Sequence, residues 1–329
     1  MKAIKDILAS RDGAVVLSID ATKGCVAIKG VAGIRDAADL PGCGLDPAED
    51  QAGLATALQE WARGARAERM RCHIALGSAF FRVDTATLPS MSEAELASSA
   101  RFEALDRFGL EDAQAIVQHV VLGDAGGRRS VALVAARMDI VRRVAEIAMG
   151  AGLLPESIEH AALTAARGAM RCESAMSGDL VAALHVEPSL ATMSLWRSGQ
   201  LAALRTIAGD WSTGPGQEDP SVIDDQGTIP LEPVASGGWR WSSLAEETLR
   251  GLRQACGEAA WPSALAVSGA AASEAELIRA VGGVCGMPTF AVDCGAWGPR
   301  SARRLGPGWA ATLGAAMAPE EVSSSRRAA

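Results

Sequence analysis

The sequence predicts an α/β fold in two related halves, with a small subdomain inserted in the first. Three observations predict it. The apolar runs "AVVLSID" and "GCVAIKGVAG", within residues 14–34, read as a β-hairpin, and "DLVAALHVEPSLATMSLWRSGQLAALRTIAG" repeats that strand pattern from residue 179. Helical periods follow each hairpin, alternating with strands. A helix–hairpin–helix block over about 88–152 interrupts the first half. A chain of 329 residues is long enough for two domains of ordinary size, which places the halves at 1–177 and 178–329.

Taken in order, the hairpin at 14–34 turns near Gly24, a residue with the freedom a tight return can need. "PGCGLDPAEDQ" is a loop whose Asp46-Pro47-Ala48-Glu49 can cap a helix, and that helix carries Leu54, Leu58 and Trp61 into the basic stretch "RGARAERMR". "CHIALGS" and "AFFRVDTATL" read as a strand pair. Ser92 and Glu95 have capping-box spacing, and Leu96, Ala100, Phe102 and Leu105 give the helix that follows a partly apolar face. "AIVQHVVLG" and "RSVALVAAR" flank the turn "DAGGR", and a helix from Asp139 to Met149 stops at Gly150 and Gly152. "SIEHAALTAARGAM" is a short strand feeding an apolar helix.

In the second half, three apolar runs follow Gly178 with a turn at "RSGQ". The segment 209–241 is rich in Gly, Pro and acids and predicts a long loop with little helix. "SLAEETLRGLRQACG" resumes helix, "SALAVSGA" is a strand with a glycine turn, and "SEAELIRAVGGVCG" is a helix opened by a serine–glutamate pair. "PTFAVDC" is a last strand, "GPGWAATLGAAMA" a closing helix, and "PEEVSSSRRAA" a frayed tail.

Composition narrows the function classes. Hydrophobic residues make up 49% and charged residues 21%, a globular balance, and the net charge of -8 argues against a nucleic-acid or anionic-membrane footprint. "MKAIKDILASRDG" lacks the apolar core of a signal peptide, and no run of 18 apolar residues occurs, so a soluble cytoplasmic protein is expected. Seven dispersed cysteines without a CxxC pair, and four dispersed histidines, fit buried thiols better than a zinc site or disulfide scaffold. There is no G-x-S-x-G, Walker A or H-E-x-x-H motif.

The order of elements resembles the actin-like ATPase (ribonuclease H-like) fold, and within it the PilM-type assembly proteins of type IV pili and their type II secretion relatives. "LPSMSEAELASSARFEALDRF", "SVALVAARMDIVRRVAEIAMGAGLLPESIEHAALTAAR", "LRTIAG" and "LAVSGAAASEAELIRAVGGVCGMPTFAVD" carry the resemblance, in that order, over nearly the full chain. It implies two domains around a cleft, and a partner: the cytoplasmic tail of a membrane-anchored pilus or secretion assembly protein, laid in a groove beside the inserted subdomain. Phe80, Phe81, Val83, Phe102, Leu105 and Phe108 are the apolar candidates for that groove, with core packing as their plainer reading. Recruitment to the inner membrane would then run through the partner. Self-association is compatible with the same fold.

The resemblance also implies a nucleotide site of two hairpins, each with an acid for magnesium and glycines for close backbone approach to phosphate. The first, "DATKGCVA", keeps Asp20 but has Thr22 for a glycine, and Lys23 could meet a phosphate as a point charge. In the second, "HVEPSL", His185 stands at the aspartate position, Glu187 at a glycine position, and Pro188 removes an N–H donor. On the adenosine side "SGAAAS" keeps Gly269 with Ser268 before it, and the segment 209–241 is short for the subdomain that covers the base. The expectation is a non-hydrolysing scaffold with no catalytic residues, no metal site and no cofactor. The alternative is an ATP-binding protein or weak Mg2+-dependent ATPase using Asp20, Lys23 and Gly269.

Overall fold

The computed structural model describes residues 13–30, 33–41, 45, 52–172, 176, 178–212, 238–257, 260–295 and 305–315. The expected helix cap at Asp46–Glu49, most of the segment 209–241 and the C-terminal tail lie outside them.

Two five-stranded sheets with the same strand order form the frame. The first runs β3-β2-β1-β4-β8, from β1 (Ala14–Ile19), β2 (Lys23–Gly30), β3 (Gly33–Pro41), β4 (Arg71–Leu76) and β8 (Leu154–His160). The second runs β11-β10-β9-β12-β13, from β9 (Leu180–Val186), β10 (Leu190–Arg197), β11 (Gln200–Ala208), β12 (Leu265–Ser268) and β13 (Thr289–Ala291). In each, an antiparallel three-stranded meander is extended by two parallel strands.

Strand periodicity sorts the cores. Val15, Leu17 and Ile19 join the outer core with helices α1 (Ala52–Gly64) and α3 (Met138–Gly150), through Leu54, Leu58, Val144 and Ile147. Val16, one position out of phase, joins a central core instead. In the second sheet Leu180, Ala182, Leu184 and Val186 face α5 (Gly238–Cys256) and α6 (Ala275–Cys285), while Val181 and Ala183 face the centre. The central core is filled by two helices rich in small residues, α4 (Ala161–Cys172) and α7 (Ala310–Ala315). α4 packs on β9 and β10 as well as on β8 and β4 of its own half, whereas α7 crosses back onto β1 and β4.

The inserted subdomain is a sheet of order β5-β7-β6, from β5 (Phe81–Pro89), β6 (Ala115–Ala125) and β7 (Arg128–Arg137), with α2 (Glu93–Phe108) on one face. Its other face meets the central core through Ala132 and, half-buried, Val83 and Val134. The capping box on α2 is as expected, with Ser92 N–H donating to Glu95 Oε2 (3.0 Å) and Glu95 N–H to Ser92 Oγ (3.4 Å).

Several sequence expectations are corrected. "CHIALGS" and "AFFRVDTATL" do not pair: β4 lies between β1 and β8, and β5 pairs with β7. The inserted sheet therefore spans 81–137, not 88–152, because α3 sends its apolar face into the first-half core. The first hairpin turns at Asp20–Lys23, and Gly24 is an ordinary β2 residue. The meander's third strand, β3, was not anticipated: it carries Arg35, Asp36 and Asp39 exposed at the sheet edge, so no apolar run marks it. The basic stretch leaves the helix early. Ala67 N–H bonds Ala62 O and Arg66 takes φ 55°, a helix-ending turn built without glycine. Before α6 the expected serine–glutamate pair forms no cap: Glu274 stands at the N-cap without a side-chain bond to the helix, and its Oε2 accepts from Trp241 Nε1 (2.9 Å) and lies 3.5 Å from Arg240.

Candidate functional site

The ends of β1, β2 and β9 and the turn after β12 converge on one cavity of about 190 Å³ between the halves. Asp20, Lys23 and Gly269, the three residues expected around a nucleotide, all line it, with Ser18, His185 and Pro188.

Each is placed by local chemistry. Asp20 ends β1 and closes its own turn: Oδ1 accepts from the N–H groups of Thr22 (2.7 Å) and Lys23 (2.8 Å) and from the Thr22 hydroxyl (2.9 Å). Two hairpin donors are thereby consumed internally. Lys23 is half-buried, with its Nζ near Gly308 on the opposite wall. Gly269 has φ 96°, and a Cβ there would stand 2.1 Å from Val186 O, so only glycine fits. Cys25 lines the same cavity, but burial pushes its thiol up to about 12, so it is no nucleophile at neutral pH.

The second hairpin differs from its sequence reading. Glu187 does not present its charge to an open cleft. It is 6% exposed, and its carboxylate reaches across to the residue after Gly77 in the first half. Oε1 and Oε2 accept from Ser78 N–H at 2.8 and 2.9 Å, and Oε1 also from Ser78 Oγ at 2.9 Å. His185 Nε2 lies 3.3 Å from Oε1, and His185 Nδ1 lies 2.9 Å from Ser268 Oγ, its register partner on β12. Burial pushes the Glu187 carboxyl up. The His185 and Ser78 hydrogen bonds and the His185 charge outweigh that and hold it below the usual glutamate range. The Glu187 N–H is engaged too, donating to Leu190 O across the turn. Gly77 permits the approach: a Cβ there would stand 2.9 Å from Asp20 Cα and 3.2 Å from Glu187 Oε2.

Sequence reasoning missed Ser78, the partnership of Ser268 with His185, and His160. The signal for Ser78 is "LGS" at a strand end, a glycine that lets chains approach followed by a donor. Nothing local pairs it with a glutamate 109 positions on. His160 ends β8, buried, with its ring against Phe81 (centroids 4.7 Å apart).

The six groove candidates pack against different cores. Phe80 and Phe81 pack on the first-half outer core, Val83 on the central core, and Phe108 inside the inserted subdomain. Leu105 is half-buried, and Phe102, 73% exposed on α2, is the open apolar position of the set.

No family model matches the chain, and no curated protein matches its sequence. Among solved structures, a chain of the PilM-PilN type IV pilus biogenesis complex superposes with a TM-score of 0.70, at 18% identity, over 93% of this chain and 98% of that one. Component A of the Acidaminococcus fermentans (R)-2-hydroxyglutaryl-CoA dehydratase superposes with a TM-score of 0.50, at 10% identity, over 95% and 99%. The chain has a PilM-like actin fold. In an actin-like frame the two halves are the two lobes, and the residue matching Asp20 is Glu187, not His185 as the sequence reading had it: each directly follows its lobe's first strand, and their N–H groups close the two hairpins alike, on Lys23 O and Leu190 O. The lobes face each other across the cavity, and Glu187 bridges them.

Proposed function

We propose that this protein is a cytoplasmic scaffold that does not hydrolyse ATP and binds the cytoplasmic tail or domain of an inner-membrane pilus or secretion assembly protein. One observation carries the reading: the likeness to a chain of a pilus biogenesis complex extends over 93% of this protein. No helix among the described residues is long and apolar enough to cross a membrane, so recruitment through a partner fits. The cleft supports the non-hydrolysing part. Its roughly 190 Å³ lies below the 300 Å³ or so at which small-molecule pockets begin, and the hairpin donors of Thr22, Lys23 and Glu187 are already engaged.

The partner test is capture of this chain by the cytoplasmic head of a single-span assembly protein encoded beside it. Phe102→Glu should weaken capture about tenfold or more, as loss of an apolar anchor does. Val284→Glu, at an exposed apolar site on the other lobe, should leave it unchanged. Equal loss in both variants would overturn the site, and no capture by any such head would overturn the partner class.

A second reading has its own support, since Asp20, Lys23 and Gly269 share one cavity. Calorimetric titration with ATP and magnesium separates the two. The scaffold reading expects no binding tighter than about 0.1 mM, which corresponds to about 5.5 kcal/mol. Tighter binding, lost in Asp20→Ala, would establish the ATP-dependent alternative.

A further inference from the structure

A buried carboxylate is costly unless several donors face it, and the donors around Glu187 come from both lobes. Ser78 supplies a backbone N–H and a hydroxyl from the turn after β4, and His185 closes the other side from β9. Ser78, His185 and Ser268 are all buried, so the set is built into the interior and not laid on the surface. Ser78 on the first lobe and His185 on the second together form a receptor for an oxyanion, and Glu187 fills it.

We infer that Glu187 is a tethered anion: its carboxylate occupies a small-oxyanion site between the lobes, bound by Ser78 of the first, and holds the lobes together without any diffusible ligand. The inference extends the scaffold reading and rests on it in taking lobe closure to need no nucleotide. Three consequences follow from the geometry. Opening the cleft breaks every Ser78 bond to Glu187 at once, because all of them cross between lobes. Truncating Glu187 leaves the Ser78 N–H, the Ser78 hydroxyl and His185 facing a void of carboxylate size. A small carboxylate from solution can then take the same donors, with formate the best fit because it adds no methyl group.

The test uses the full chain at neutral pH. Glu187→Ala should melt roughly 10 °C below the wild type, the scale expected when one partner of a buried charge pair is removed from a protein of this size. Sodium formate should restore at least half of that loss with saturation, sodium chloride at the same ionic strength should not, and the wild type should respond to neither. A variant melting with the wild type, or a formate effect equal in both proteins, overturns the inference. If Glu187→Ala does not fold, Ser78→Ala and Glu187→Gln are combined in a cycle. Melting shifts less than additive support the bridge, and additive shifts overturn it. Magnesium ATP forms a separate arm. Stabilisation of the wild type by ATP counts against the scaffold reading, while formate rescue decides the tethered anion.

Discussion

Gly314→Ala should be among the most destabilising single substitutions in this protein, lowering the melting temperature by about 10 °C or more. A Cβ at position 314 would lie 1.6 Å from Thr164 O, 2.4 Å from Thr164 C and 3.1 Å from Gly168 N. These are backbone atoms of α4, so no side-chain rotation relieves the overlap, and the two helices must separate. The crossing is reciprocal, because a Cβ on Gly168 would stand 2.7 Å from Ala310 O. Separation here opens the core shared by both sheets, and a cost of roughly 4 kcal/mol or more is expected, at about 2–4 °C per kcal/mol for a chain this large. Gly150→Ala is the control. Nothing lies within 4 Å of its Cβ position, and alanine at the end of α3 should be neutral or slightly stabilising. Thermal melts of the two variants check the contrast, and equal shifts would refute the argument from the crossing.

The second large effect is a loss of stability in mild acid centred on His160. Its Nδ1 accepts the Ala162 N–H at 3.2 Å, which makes the ring neutral with its proton on Nε2, and that Nε2 has no hydrogen-bond partner among the described residues. Burial pushes its pKa down from 6.5 to about 4, against the pull of Glu187. The sign follows from which state takes the proton. Between about pH 6.5 and 4 the unfolded chain protonates His160 and the folded one does not. The stability is therefore complete above pH 6.5 and drains away as the pH falls, by on the order of 3 kcal/mol. His73 adds to the same slope, since burial also lowers its pKa. Glu187 acts lower on the scale: its depressed carboxyl contributes above the unfolded glutamate pKa, and that contribution is lost as the pH drops through its folded value. Urea unfolding at pH 7, 6, 5 and 4.5 should show the slope, and His160→Asn, which keeps an acceptor for Ala162, should flatten most of it. An unchanged slope in that variant would remove His160 from the explanation.

Residue patterns disclosed which faces are buried and said little about what buries them. The alternation of Val15, Val16 and Leu17 marks a strand with two apolar faces, and Leu54 with Leu58 marks one face of a helix, because burial in this fold follows the period of the backbone. The same signal cannot name partners. It gave α3 to the inserted subdomain, although Val144 and Ile147 serve the first lobe's core. It passed over β3, whose edge position leaves Arg35, Asp36 and Asp39 in solvent and so erases the apolar cue. At the cleft, Asp20, Lys23 and Gly269 were named through the family resemblance, and the fold brings all three to one cavity. The sense of Glu187 was reversed, since its charge looks repulsive until a donor from a distant strand end is set against it. Gly314 gave no sign of its role, as its necessity arises only where a second helix touches it.

The crossing of α7 back onto the first sheet has a bearing on biosynthesis. The lobe made first receives a covering helix from residues 310–315, almost three hundred positions after β1. A nascent chain on the ribosome can assemble the hairpin, α1 and α3 early, yet the part of that sheet's inner side that α7 covers waits until residues 310–315 have been made. Loop closure over such a span is slow, and an alanine-lined surface waits open throughout, which makes the growing polypeptide a natural client for chaperones.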